Sequence, residues 1–503
     1  MRKLGLSCFA LLVIAGVTQA APPTVVEETW DVVYLNGAKA GFLHTRVTSK
    51  DPKKNILRAV SDLQLNVKRF NDTVELRMIQ GDDETDKGEV TGVFMRQYIG
   101  KQEQLKMQGT VADGVVTLTV TKGNGQVVQT KNNPLDKNVV GLYAQQHLYR
   151  DRKVKAGDVF SYLSFEPQLT AVFNTQVDVK DPEDVRFLST GKTHKLLRVD
   201  AVADKIGEFR PPPVTIWLDA GNTVVRTQFT MDGLGTLTLE RTSRALATAA
   251  NLAKLPEIAF QQLIPLNRPL PRGLSTQSAV YHITVQGDTD VATAFAHDNH
   301  QDVRNVHGNS FDLSVHPIRK TSGSETKEPG KEYLAGSYFI NSDDARVRRL
   351  AKLAVGKETD PWRKAQRISQ WVFRNVHDNY EVGFDTAEQV AKHLQGDCTE
   401  HSVLAAAMCK AVGIPARTAI GLVYTVNRDR PPRGPVLAFH MWTEVWIGGQ
   451  WRGIDPTMGG LVGAGHLKIT AHSWYNTASL KPLLPLQRVL GKTRIELVRV
   501  NDE

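Results

Sequence analysis

Cysteine is scarce in this chain: 503 residues carry three, Cys8, Cys398 and Cys409, which excludes a small disulfide-framed scaffold. Aromatic residues are few, at 7%, yet the composition is 41% hydrophobic and 23% charged, so wholesale disorder and fibrous repeats are excluded too. Beyond the N-terminus no segment offers the roughly 20 apolar residues of a spanning helix. Metal-ligand spacing is lacking: His297 and His300 flank Asp298-Asn299 without a third ligand at a telling distance. That segment reads as a loop, and no metal or organic cofactor is expected. The run Gly459-Gly460-Leu461-Val462-Gly463-Ala464-Gly465 lacks the strand-to-helix setting and Lys-Ser ending of a phosphate loop and reads as a flexible loop. The formal net charge is +9, modest for the length, and no nucleic-acid motif accompanies it. The basic residues from Arg346 to Arg367 read as a solvated helix face.

What the chain does have begins at its start. Arg2 and Lys3 precede an almost unbroken apolar run from Leu4 to Val17, and Thr18-Gln19-Ala20 supplies small residues for cleavage. Residues 1–20 are therefore expected to be a signal peptide. Cys8 lies inside the apolar run rather than after it, which rules out a lipid anchor there. The expectation is an exported protein, periplasmic or extracellular, with no integral membrane segment after cleavage. The sequence fixes no oligomeric state.

Removal of the leader leaves Cys398 and Cys409. Both fall on one predicted helix, eleven positions apart, or ~16 Å along its axis. A disulfide needs Cα atoms within ~7 Å, so these two cannot pair. Cys409 has apolar neighbours, Ala405, Met408 and Val412, and reads as a buried, inert thiol. Cys398 is the thiol that calls for a reason.

Along the chain, residues 21–245 read as a β-rich antiparallel domain, a large and perhaps curled sheet. Trp30 to Leu35 and Gly41 to Val47 flank Asn36-Gly37, a hairpin signal. Further apolar runs at Leu63 to Val67, Val115 to Val120, Val214 to Leu218 and Val224 to Phe229 read as strands, with one helix near Leu142 to Tyr149. Residues 246–275 read as a helix-like stretch from Leu246 to Leu263, interrupted at Pro256, and a Pro-rich extended linker. Residues 276–340 suggest a small β-module around Ala279 to Val285 and Phe311 to Val315. Residues 341–503 turn helical: Asp360-Pro361 caps a helix bearing Ala365, Ile368, Val372 and Val376 at helical spacing, and a second runs from about Ala387 to Leu394.

The next helix carries the chemistry. Asp397 fits as its cap, and Glu400 completes an acidic capping box. Cys398 is then in the first turn, where backbone N–H groups and the helix dipole favour a thiolate and can receive an oxyanion. Gly413-Ile414-Pro415 stops the helix. Strands follow at Ala416 to Tyr424, Ala438 to Ile447 and Gln450 to Ile454, the last two joined by Gly448-Gly449. That hairpin sets His440 near Asp455, a base and the acid that orients it. His401, one turn along from Cys398, is a rival base without an evident carboxylate partner. Trp371, Trp442 and Trp446 suit either a substrate groove or the core.

Gly396-Asp397-Cys398-Thr399-Glu400-His401-Ser402, Gly413-Ile414-Pro415-Ala416-Arg417, His440-Met441-Trp442-Thr443-Glu444-Val445-Trp446 and Asp455-Pro456-Thr457, in this order, resemble the transglutaminase-like superfamily from about Asn341 to His472. The resemblance implies a papain-related core, with Cys398 as nucleophile, His440 as base and Asp455 as orienting acid. The fold class expected is α+β: a β-rich N-terminal region, a small β-module, and a transglutaminase-like domain. An exported thiol hydrolase is the first reading, a peptidase or amidase acting through a Cys398 thioester on a peptide, protein or amide-containing cell-envelope substrate. Transfer to an amine, as in protein-glutamine cross-linking, and a non-catalytic binding or assembly module are the alternatives.

Overall fold

Asn36 and Gly37 both take positive φ, 51° and 78°, the backbone that a two-residue hairpin turn demands. They join β1 (Val25–Leu35) to β2 (Ala38–Asp51), and an antiparallel meander continues to β8 (Val127–Pro134). The computed structural model describes residues 24–69, 72–99, 102–121, 127–167, 169–205, 211–231, 235–249, 255–256, 263–288, 290–316, 328–379, 385–428, 432–475 and 481–501. The expected leader, residues 1–20, lies outside them.

After β8 the chain forms helix α1 (Leu142–Arg152) and a second meander, β9 (Val159–Glu166) to β14 (Gly235–Thr242). β14 returns to pair with β1, from Trp30 opposite Thr242 to Leu35 opposite Leu237, which merges both meanders into one 14-stranded sheet. Its edges, β8 and β9, are neighbours in sequence, and a bridge between Val139 and Leu163 draws their flanks together. Strands of both wings line one cavity, so the sheet curls as expected. The predicted strands and the helix near Leu142 lie within observed elements.

Of the stretch from Leu246 to Leu263, residues 246–249, 255–256 and 263 are described. Helix α2 is short (Arg244–Thr248), capped by the Ser243 side chain, and Leu255-Pro256 is not helical. The interruption falls at Pro256 as read, and the Pro256 carbonyl accepts the Lys68 N–H at 2.8 Å, a tertiary contact that local propensity does not show; residues 250–254 and 257–262 lie outside the described set. The proline-rich segment is docked rather than loose: β15 (Ile264–Pro265) pairs with Leu437 and Val436, and Leu266 and Leu270 are buried.

β16 (Ser278–Val285), β17 (Gln301–His307) and β18 (Ser310–Val315) form a small antiparallel sheet. Its fourth strand comes from the other end of the described chain, where β26 (Thr493–Asn501) pairs with β16. Residues 276–340 thus share a sheet with the C-terminal strand. The loop from Ala296 to His300 lies between them and the main C-terminal sheet, as a loop should, and is fastened there: Gln301 Nε2 donates to the Lys468 carbonyl and Gln301 Oε1 accepts the Lys468 N–H.

The remaining helices are α3 (Ala345–Val355), α4 (Pro361–Asn375), α5 (Ala387–His393) and α6 (Cys398–Ala411). The expected caps are in place: Asp360 accepts the Arg363 N–H at 2.8 Å, and Ala365, Ile368 and Val372 face the core. Arg346, Arg348, Arg349 and Lys352 stand exposed on α3, the solvated face that their spacing predicts. β19 (His377–Asp378) and β20 (Gln395–Gly396) make a short parallel pair just before α6. The main C-terminal sheet orders β24 (Gly460–Leu461), β23 (Trp451–Asp455), β22 (Gly434–Trp446), β21 (Ala416–Asn427) and β25 (His466–His472).

Helix α6 is buried on all sides, from Thr399 to Lys410, as an apolar helix must be at the centre of a domain. Truncating a side chain such as Leu404 there costs about 2–5 kcal/mol. Lys410 tolerates burial because its Nζ donates to the carbonyls of Glu332, Ala335 and Ser473; burial pushes its ammonium down to about 8.

Candidate active site

The start of α6 is built by side chains that close on their own backbone. Asp397 Oδ1 accepts the Thr399 N–H at 2.8 Å, and Glu400 Oε2 accepts the Asp397 N–H at 2.9 Å, the predicted capping box. Glu400 Oε1 also accepts the Asp385 N–H at 2.8 Å, which fixes the loop before α5 against this turn. Burial and then the Asp397 charge hold the Glu400 carboxyl well above its ordinary range. Gly396 makes the approach possible, since a Cβ there would stand 2.2 Å from Glu400 Cβ.

Cys398 occupies the first helical position and is half-buried, whereas Cys409 is fully buried. Neither is in a disulfide. Burial pushes the Cys409 thiol far up, which suits the inert thiol its neighbours suggest. The capping box takes the Thr399 and Glu400 N–H groups for Asp397. Those two amides are therefore spent, which narrows the expectation that first-turn N–H groups receive an oxyanion.

Two hydrogen bonds bind α6 to β22 beside the cysteine. Ser402, one turn after Cys398, donates its Oγ–H to the Met441 carbonyl at 2.8 Å, and Thr443 Oγ1 donates to the Ser402 carbonyl at 3.0 Å. Met441 adjoins His440, so the helix turn that carries Cys398 and the strand that carries His440 are held in register.

The β22–β23 ladder ends with Thr443 opposite Ile454, one residue short of Asp455. His440 Nε2 lies 2.9 Å from Asp455 Oδ2. Asp455 is completely buried and His440 nearly so. Asp455 Oδ1 accepts the N–H groups of Thr457 and Met458 at 2.9 and 3.0 Å, an Asx turn that explains why Pro456-Thr457 follows it. Burial alone would raise this carboxyl, but His440 and His466 hold it well below the usual carboxylate range. With Nε2 engaged, Nδ1 is the His440 nitrogen left for proton transfer.

His466 is the residue that sequence reasoning missed. From β25 its Nε2 reaches Asp455 Oδ2 at 3.0 Å, and its Nδ1 accepts the Gly463 N–H at 3.4 Å. The Gly463 N–H at Nδ1 leaves Nε2 as the nitrogen that donates to Asp455. No spacing rule marks it, because it arrives by the pairing of β25 with β21 rather than through the hairpin. The candidate metal-ligand atoms of His440, Asp455 and His466 lie within 4.8 Å of one another, but the Gly463 contact occupies the His466 ring in a way that suits hydrogen bonding rather than coordination. His401, the rival base, is buried with its Nδ1 2.7 Å from the Asp397 carbonyl.

Trp442 is fully buried between His440 and His466, with ring centroids 6.3 and 5.3 Å away. It packs the site from behind and lines no groove; Trp371 and Trp446 are half-buried. The glycine run closes the far side of the site, since Gly463 serves His466 and its backbone passes Leu274 and Thr276 too closely for a side chain. A second buried cluster supports the sheet. Lys468 Nζ pairs with both Glu444 and Asp298, and Arg417 holds Glu444 at 2.7 Å.

Residues 348–456 match the family model of the transglutaminase-like superfamily core. The C-terminal part of the chain carries that core, with a β-rich region before it. An uncharacterized protein of Haemophilus influenzae is 32% identical over 97 residues, 18% of this chain and 26% of that protein. The chain thus spans about a quarter of the length of the curated relative it matches. A candidate cysteine protease from Cytophaga hutchinsonii aligns at 18% identity over 45% of this chain and 87% of its own, with a TM-score of 0.28. The periplasmic domain of TgpA from Pseudomonas aeruginosa, bound to ethylmercury, aligns at 13% identity over 63% and 95%, with a TM-score of 0.25. A β-barrel-like protein from Brucella abortus aligns at 10% identity over 43% and 95%, with a TM-score of 0.32.

Proposed function

We propose that this chain is an exported cysteine-dependent acyl-transfer enzyme that hydrolyses amide bonds in a peptide or protein substrate. The observation that carries the reading is the His440–Asp455 contact, 2.9 Å long and buried, on the strand to which the Cys398 turn is tied. Among the described residues no helix is long and apolar enough to cross a membrane.

In this reading the Cys398 thiol gives its proton to His440 Nδ1, and the sulfur adds to the substrate carbonyl. Asp455 stabilises the imidazolium and keeps the ring oriented. The tetrahedral intermediate collapses as His440 returns the proton to the departing amine, which leaves a Cys398 thioester. His440 then takes a proton from water, hydroxide adds to the thioester carbonyl, and the acid and the thiol are released.

The test is the pH dependence of iodoacetamide alkylation at Cys398, with Cys409 as the buried reference. Fast labelling at mildly acidic pH that slows in a His440→Ala variant is the expected result. Uniformly slow labelling in a folded wild-type chain overturns the reading and favours a binding module. Trapping the thioester with a labelled primary amine then distinguishes amine transfer from hydrolysis.

A further inference from the structure

Three large apolar side chains stand exposed beside the site: Phe373 on α4, Met458 after the Asp455 turn, and Leu461 on β24, at 45%, 40% and 53%. Single exposed apolar side chains are ordinary, whereas adjoining ones mark a contact surface. These three adjoin. Gly459 lies against the Phe373 ring, where a Cβ would stand 2.8 Å from Cδ1. Gln370 Nε2, on the same helix, donates to the Gly459 carbonyl at 2.6 Å. Gly459 and Gly460 add no side chains, so the relief along this backbone is that of Phe373, Met458 and Leu461.

Both sides of this surface are tied to the site. The Met458 N–H donates to Asp455 Oδ1 and the Gly459 N–H to the Asp455 carbonyl, each at 3.0 Å, so the loop leaves directly from the acid that holds His440. Leu461 is the cross-strand partner of Ile454, and Ile454 is the partner of Thr443. Residues directly opposite share one face of a sheet. On that face the Thr443 hydroxyl reaches the Ser402 carbonyl, one turn after Cys398. Two strand spacings set Leu461 ~10 Å from Thr443, the length of about three residues of extended peptide. On the α4 side, the chain beyond Phe373 pairs His377 with Gln395 and Asp378 with Gly396, two positions before Cys398.

We propose that Phe373, Met458 and Leu461 form a subsite for an apolar side chain of the peptide substrate, two or three residues from the scissile amide. The assignment rests on the reading of Cys398 as the nucleophile. A leucine-sized side chain set among these three removes apolar surface from water on both partners. An asparagine of nearly the same shape gives up hydration there for little return. A second copy of the chain would need a matching projection for so small a surface, whereas a peptide held at Cys398 already passes within its reach.

The test uses thiol-directed peptides on the full chain. Iodoacetyl-Gly-Leu-amide and acetyl-Leu-Gly-chloromethyl ketone run to opposite sides of the reacting sulfur, and a matching pair carries Asn in place of Leu. In each the Cys398 thiolate displaces the halide, so a carbon–sulfur bond replaces the carbon–halogen bond. Labelling at Cys398 is read by mass spectrometry. In one of the two series the leucine probe is expected to react about tenfold faster than its asparagine counterpart, within the range for burying such a side chain. Leu461→Ser and Phe373→Ser, both at exposed positions, should each remove most of that ratio. A ratio near one in both series overturns the subsite, even where labelling slows in His440→Ala. A ratio near one together with a dimer in sedimentation that Leu461→Ser abolishes gives the surface to a second copy instead. A kept ratio in a chain whose labelling ignores His440→Ala overturns the catalytic reading and leaves the peptide contact standing.

Discussion

His466 Nε2 lies 3.0 Å from Asp455 Oδ2, the same oxygen that holds His440 Nε2 at 2.9 Å. One buried carboxylate therefore orients two imidazoles, and only one of them belongs to the strand that faces α6. Because His466 reaches Asp455 from β25 and not from the strand tied to the Cys398 turn, it is placed to position Asp455. His466→Leu should lower kcat/KM for amide hydrolysis by about 10–100-fold, the usual cost of losing a group that orients a site residue. His466→Gln, whose amide can still donate, should recover most of that loss at a similar thermal midpoint. Equal activity in both variants would exclude a positioning role.

Asp455 should matter for stability as well as for rate. Its four hydrogen bonds make Asp455→Ala expensive, about 3–5 kcal/mol, because buried donors lose their acceptor. Asp455→Asn keeps the shape but sets an amide donor among donors. It should lower the rate by about 10²–10⁴-fold, in the range for a disabled acid–base pair. The folded carboxyl sits well below its ordinary range. Its stabilisation is thus complete above the unfolded value near pH 4 and is lost as pH falls toward the folded one. Urea melts between pH 7 and pH 3 should show the gap between wild type and Asp455→Asn closing as the solution is acidified.

Much of this site is local and therefore legible in sequence. Asp397 with Glu400, Asp360 with Pro361, and Asn36 with Gly37 each act over one turn of chain, and each appears in the structure as its residues predict. The His440–Asp455 pair is legible because a tight hairpin carries register over a dozen residues. His466 is not, since its approach depends on β25 lying beside β21. The same holds for β15, which docks on β22, and for β26, which completes a sheet begun some two hundred positions earlier. Pro256 shows both sides: the interruption there is legible from the proline itself, whereas the contact of its carbonyl with the Lys68 N–H is not.

The buried cluster at Lys468 offers a test of how the Ala296–His300 loop is fastened. Lys468 pairs with Glu444 and Asp298, and both carboxyls are held below their ordinary ranges, burial opposing and Lys468 lowering. Lys468→Met removes the shared cation and should cost about 3–5 kcal/mol at pH 7. Depressed carboxyls lend stability above their unfolded values and lose it as pH falls. The deficit of the variant should therefore shrink on acidification below about pH 4, read as converging thermal midpoints. A constant deficit would mean that packing of the lysine stem, and not charge pairing, sets its contribution.

Gly396 gives the sharpest link between backbone geometry and chemistry. Its φ is +151° and its ideal Cβ position is 2.2 Å from Glu400 Cβ, so neither the dihedral nor the space suits a side chain. Glu400 cannot retreat, since it is buried and bonded to the Asp397 and Asp385 N–H groups. Gly396→Ala must move the start of α6, and Cys398 with it. The strain should cost about 1–3 kcal/mol, visible as a lower urea midpoint. The larger effect should fall on the thiol, because a nucleophile displaced by about 1 Å loses on the order of 10²-fold in rate. Alkylation of Cys398 should then lose its dependence on His440, so that Gly396→Ala and the Gly396→Ala/His440→Ala double variant label at the same rate. If Gly396→Ala keeps wild-type labelling and turnover, the tight turn serves only the fold, and the site tolerates more movement than the hydrogen bonds around Asp397 imply.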